Sequence, residues 1–187
     1  MAKFIKTKNN KQVLLRKLSL NDLDLLTNYL QKLSAATKKH FGPHPFDKQS
    51  ISDLYNRSDT YRGYFGIDME TNKIVAYSII KFGYIEHDLV RFQSYGITLN
   101  HSSDCTLAPS VADEWQSCGI GNHLFQYILS DLKEKGIKRI ILWGGVQADN
   151  EKAINFYKRN NFETVGQFTH NGENYDMVLS CVSSNNY

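Results

Sequence analysis

No apolar stretch in this chain approaches the roughly 18 residues that a membrane-spanning helix needs, so no membrane partner is expected. The basic opening around Lys3 and Lys6 is followed by no apolar segment, and no secretory leader is expected either. Cysteine is scarce: Cys105, Cys118 and Cys181 are odd in number and lack metal-ligand spacing. They read as free thiols, with no metal site, in a reducing and therefore cytoplasmic compartment. The formal net charge is only +3 and no Lys/Arg run concentrates it, which argues against a nucleic-acid partner. No repeat or low-complexity linker divides the 187 residues, enough for one domain with a real core. We take residues 1–182 as that domain and the polar tail 183–187 as frayed.

What is present reads as alternating strands and helices. Residues 11–17 suit a first strand, and Ser19 or Asn21 caps a helix on which Leu23, Leu26, Tyr29, Leu30 and Leu33 recur at helical spacing. Two prolines exclude Phe41–Phe46 from a helix interior, and a short helix is expected over 49–57. Strands over 62–68 and 73–82 form a hairpin. Within 83–103, Val90 to Leu99 fits either a strand or a long loop. A strand over Cys105–Val111 then leads into a helix opened by Gly119-Ile120-Gly121, whose apolar face is Leu124, Phe125, Ile128, Leu129 and Leu132. Lys135 and Gly136 close that helix, and Arg139–Trp143 is a short apolar strand. This βαβ unit requires a parallel pair. A helix from Asp149 or Asn150 to Asn160-Asn161 follows, then strands over 162–168 and 173–181 around Asn171-Gly172. The fold class is α/β.

The segment Gln116-Ser117-Cys118-Gly119-Ile120-Gly121 joins a strand to a helix. The first turn of a helix carries unpartnered N–H groups and the positive end of the dipole, and glycines let a phosphate approach the backbone. A dinucleotide fingerprint would have a third glycine where Leu124 stands, and a P-loop would end in Gly-Lys-Ser/Thr, so both fit poorly. Glycines that merely start a helix remain an alternative.

The run from Val111 through Gln116 to Gly121 resembles the CoA-binding segment Gln/Arg-x-x-Gly-x-Gly/Ala of GCN5-related N-acetyltransferases (GNAT). Asn150, Ala153, Phe156, Tyr157 and Phe162 stand in the order of a second motif of that family, Asn-x-x-Ala-x-x-Phe-Tyr-x-x-x-Gly-Phe. Asn161 replaces the usual glycine, a residue that also tolerates the left-handed conformation of a helix end. The resemblance covers about residues 104–180.

It implies a single-domain GNAT fold: a mixed, mostly antiparallel sheet with a splayed parallel strand pair, flanked by helices. It implies acetyl-CoA as co-substrate, and as acceptor either a small-molecule amine or a protein lysine. It is compatible with a homodimer. Ser110, Val111 and Ala112 would face the coenzyme, Gln116, Ser117, Cys118, Gly119, Ile120, Gly121 and Asn122 would hold its pyrophosphate, and Asn150 and Tyr157 would meet its pantetheine end. Pro109, which offers no N–H, suits a strand that leaves its neighbour.

Acyl transfer to an amine needs the amine deprotonated, the carbonyl polarised and the departing thiolate protonated. Tyr157 is the expected acid, since a phenol is protonated at neutral pH. For the base the candidates are His44, held between Pro43 and Pro45, and Asp104 acting through water on the strand face of Thr106. Direct transfer is expected rather than a cysteine nucleophile. A catalytically silent CoA-binding sensor or interaction module is the alternative.

Overall fold

The computed structural model describes residues 2–57 and 59–181; the tail 183–187 lies outside them. The chain divides into two compact units, Met1–Ile80 with Ala108–Ile128, and Lys81–Leu107 with Leu129–Tyr187. The described residues form a mixed α/β structure of nine strands, antiparallel except for one parallel pair.

In the first unit, β1 (Lys3–Lys6), β2 (Gln12–Lys17), β3 (Tyr61–Asp68) and β4 (Lys73–Phe82) neighbour one another in that order. The register runs from Lys3↔Leu15 to Lys6↔Gln12 and from Val13↔Asp68 to Lys17↔Tyr64. Strand β1 was not foreseen: its four residues, two lysines flanking Phe4 and Ile5, show no alternation and are too few to signal a period. The expected face of α1 (Leu23–Lys32) is buried as Leu23, Leu26, Tyr29 and Leu30, with Leu33 just beyond. Its start is tied to β2 by Asp22, which accepts the Arg16 fork at 2.6 and 2.7 Å and the Ser19 N–H at 2.8 Å. Burial pulls the Asp22 carboxyl upward, but these bonds outweigh it and hold it below the usual carboxylate range. Helices α2 (Ala35–Lys39) and α3 (Lys48–Tyr55) follow, capped by Ser34 and Asp47. Burial of Val13, Leu15, Leu26, Leu30, Ile51 and Phe65 makes the core, each side chain contributing roughly 1.5–3 kcal/mol.

In the second unit, Val90 to Leu99, expected as either a strand or a long loop, instead begins within a helix. A 3-10 turn (Glu86–Asp88) leads into a helix, α4 (Leu89–Ser94). Phe92 is fully buried with Leu99 and Ile141, and Leu89, Tyr95, Val165 and Val178 pack around them. The helix is fastened from a distance. Arg91 donates to Asp176 at 2.5 and 3.0 Å and to Asp88 at 2.7 Å, and it lies 3.9 Å over the Phe168 ring. Tyr95 lies so close over Gly166 that a Cβ there would stand 2.2 Å from its ring.

The first half of β5 (Asp104–Val111) pairs parallel with β6 (Arg139–Leu142), from Asp104↔Arg139 to Leu107↔Leu142. The βαβ reading is therefore right about this pair. Strand β9 (Glu173–Ser180) runs antiparallel to β6, to a two-residue β7 (Val146–Gln147) and to β8 (Glu163–Thr169). Helix α5 (Ile120–Glu134) ends at Gly136, whose φ is +74°, and α6 (Glu151–Arg159) ends at Asn161, whose φ is +63°. Both left-handed helix ends were expected.

Candidate functional site

The phosphate loop belongs to the first unit. Beyond β5, Ala112 starts a 3-10 turn (Asp113–Trp115), and Trp115 and Gln116 donate backward to Ala112 and Asp113 at 2.8 and 3.2 Å. The chain then reverses through two left-handed residues, Ser117 (φ +63°) and Gly119 (φ +92°). The first bond of α5 runs from His123 N–H to Gly119 O at 3.2 Å, so the amides of Ile120, Gly121 and Asn122 precede the helical ladder. Among the described residues, the amides of Ser117, Cys118 and Gly119 donate to no backbone carbonyl. At the positive end of a 15-residue helix, six successive N–H groups thus donate to no backbone carbonyl among the described residues, an arrangement that attracts a phosphate oxyanion.

Two side chains of this loop, Cys118 and Gln116, bond back to the preceding backbone, while Ser117 and Asn122 are exposed. The Cys118 thiol donates to Trp115 O at 2.8 Å and is buried, and Gln116 Nε2 reaches Val111 O at 3.4 Å. The turn between β1 and β2 lies alongside: Lys8 N–H donates to Cys118 O at 3.0 Å, and Lys11 Nζ stands 4.7 Å over the Trp115 ring.

Of the three residues expected to face a coenzyme, Ser110 and Val111 at the end of β5 and Ala112 just beyond it, Ser110 points its hydroxyl into the core, 3.0 Å from Tyr29 Oη and 3.4 Å from Tyr77 O. The Ala112 amide is already given to Val75 O at 2.9 Å. Backbone groups alternate sides along a strand, so Ser110 shares the β4 side with Ala112, and what remains of β5 for a ligand is the backbone of Val111. An open cleft of about 330 Å³ lies between α1, the start of β4 and Ala112–Trp115. Its walls mix Lys11 and Lys32 with Asp113 and Glu114, so it selects no single charge.

His44 sits in the same unit, in a nest of Phe41, Phe46 and Tyr77 rings. Its Nδ1 donates to Pro45 O at 2.7 Å, which leaves Nε2 to accept from the Tyr77 hydroxyl at 3.1 Å. Tyr55 in turn closes on Tyr77. Burial lowers the His44 pKa against the upward pull of Pro45 O and Asp47, and burial raises those of Tyr29, Tyr55 and Tyr77. The imidazole is therefore neutral and doubly bonded, and a direct role as base requires one of its bonds to open. The tyrosine chain was missed in the sequence; its signal is that a buried phenol must find a partner.

In the second unit, Asp104 is 1% exposed and each of its oxygens already accepts a bond. Oδ1 takes Arg139 Nε at 3.1 Å, and Oδ2 takes Arg139 Nη2 at 3.0 Å and the Asn100 N–H at 2.7 Å. Engaged in this way, Asp104 fastens the start of β5, and a role as base through water would have to share these bonds. Asn150 caps α6, accepting from Ala153 N at 3.2 Å. Tyr157 is buried between Phe156 and Phe162, and among the described residues its hydroxyl makes no hydrogen bond. Burial pushes its pKa well up, so the phenol keeps its proton.

With this loop and these elements in place, comparison with known proteins settles the class. The chain belongs to the acetyltransferase (GNAT) family, whose model matches residues 28–162. Membership implies acyl transfer to an amine. Solved structures agree in fold. The GNAT domain of S. lividans PAT is 16% identical, with 96% of each chain covered and a TM-score of 0.72. A spermidine N-acetyltransferase chimera from Vibrio cholerae and hSSAT is 20% identical, covering 94% of this chain and 99% of that one, with a TM-score of 0.66. An acetyltransferase of the GNAT family from Streptococcus pneumoniae is 17% identical, covering 90% and 98%, with a TM-score of 0.66. A sequence search of curated proteins found no match. Among the described residues no helix is long and apolar enough to cross a membrane.

Proposed function

We propose that this protein transfers the acetyl group of acetyl-CoA to a primary amine, on a small molecule or a protein lysine, by direct transfer in a ternary complex in the cytoplasm. The observation that carries this reading is the row of free amides from Ser117 to Asn122 at the head of α5. They hold the pyrophosphate, and the backbone of Val111, beyond the last registered β5–β6 pair and flanked by Ser110 and Ala112, takes the pantetheine arm. Pro109 has no N–H to give to a neighbouring strand, in keeping with that use. Asn150 has its amide nitrogen left over from capping and offers it to the same arm.

Acetyl-CoA supplies an activated carbonyl and a thiolate leaving group. The amine nitrogen forms a bond to the carbonyl carbon as the carbon–sulfur bond breaks, and Tyr157, protonated and without another partner, gives its proton to the sulfur. The amine loses its proton to water, because His44 and Asp104 have their ring nitrogens and carboxylate oxygens already bonded. Much of the acceleration comes from holding thioester and amine together.

The test is incubation with acetyl-CoA and a panel of primary amines, reading free thiol and product mass. One acetylated amine per thiol released supports the assignment. Tight CoA binding with no amine acetylated would favour a coenzyme sensor instead.

A further inference from the structure

The turn that joins β1 to β2 is built rather than slack. Thr7 is 4% exposed, its N–H donates to Lys11 O at 3.0 Å, and its hydroxyl bonds both Lys11 O and Lys11 N at 3.3 Å. Asn10, with φ +64°, closes the turn by donating to Thr7 O at 3.0 Å. This geometry presents Lys8 to the phosphate loop. Its backbone N–H holds the Cys118 carbonyl at 3.0 Å, and a trans peptide then directs the following Gly119 N–H the opposite way. The side chain runs past the same glycine: its Cγ and Cε lie 3.8 Å from where a Cβ on Gly119 would stand. One bond further is the ammonium. Among the described residues no carboxylate pairs with it, whereas Lys11 is stacked on Trp115 and Asp113 is bonded to Ser34 and Thr37.

We propose that Lys8 is a further coenzyme-binding residue, whose ammonium reaches over Gly119 and pairs with the pyrophosphate held by the loop amides. The inference rests on reading Ser117–Asn122 as the CoA loop. Loop amides supply hydrogen bonds but no net charge, and a dianionic pyrophosphate gains from a cation placed where its stem is already held. Because the stem passes the middle of the amide row, Lys8 reads the pyrophosphate and not the 3′-phosphate of the adenosine.

The experiment is calorimetric titration of the full chain and of Lys8→Met and Lys8→Arg variants with CoA and with dephospho-CoA. Methionine keeps the stem and removes the charge. The expected result is that Lys8→Met weakens both ligands by the same factor, about tenfold, while Lys8→Arg restores most of the loss. Loss with CoA but not with dephospho-CoA assigns Lys8 to the 3′-phosphate and overturns the proposal, as does unchanged affinity for both. A wild-type chain that binds neither ligand sinks the loop reading itself.

Discussion

His44 Nε2 and the Tyr77 hydroxyl stand 3.1 Å apart, and the opposite ring nitrogen is 2.7 Å from Pro45 O, so this imidazole is locked as one neutral tautomer. The lock makes stability pH-dependent. The unfolded imidazole titrates near 6.5, and burial lowers that value in the fold. As pH falls the unfolded chain binds the proton first, so this contribution is full above 6.5 and is lost as pH falls from there to the folded value. Urea unfolding across that range should show the decline. His44→Phe should flatten it, while lowering stability above pH 6.5 by about 1–3 kcal/mol, because the Tyr77 donor loses its acceptor, with the gap narrowing as pH falls.

Arg91 is bonded to two buried carboxylates, Asp88 and Asp176, and among the described residues one oxygen of Asp88 has no partner. Arg91→Met leaves Asp88 and Asp176 without it. A loss of about 3–5 kcal/mol is expected in denaturant unfolding. Adding Asp176→Asn to that variant should recover part of the loss, since one stranded charge is then removed.

Gly119 holds φ at +92°, a region that side chains rarely adopt. Gly119→Val should cost roughly 1–3 kcal/mol locally or force the turn to change. In either case the amide row is disturbed, and CoA affinity measured by calorimetry should fall at least tenfold while the melting temperature moves by only a few degrees.

Tyr157→Phe removes one hydroxyl from a buried ring. If that hydroxyl protonates the leaving sulfur, kcat should fall about a hundredfold with KM for acetyl-CoA unchanged. A kcat equal to that of the parent enzyme would assign Tyr157 to packing alone.

Legibility in the sequence followed locality. The helix that opens at Ile120, the left-handed ends at Gly136 and Asn161, and the turn at Asn171-Gly172 are each specified within a few residues, and each was read in place. Helix α4 was not, because only six residues form it and its anchor, Asp176, lies 85 positions from Arg91. The same holds at the candidate site. Glycine and free amides marked the loop, but the fates of Ser110, His44 and Asp104 depend on Tyr29, Tyr77 and Arg139, from 33 to 81 residues away. A residue's type announces its chemistry, while its availability is decided by partners that no local pattern names.

An amide-resolved NMR titration with CoA bears most directly on the role of the loop. Saturable shifts concentrated on the N–H signals of Ser117 through Asn122, with Lys8 among them, are the expected result. Shifts confined to other segments, or none at millimolar CoA, would contradict it.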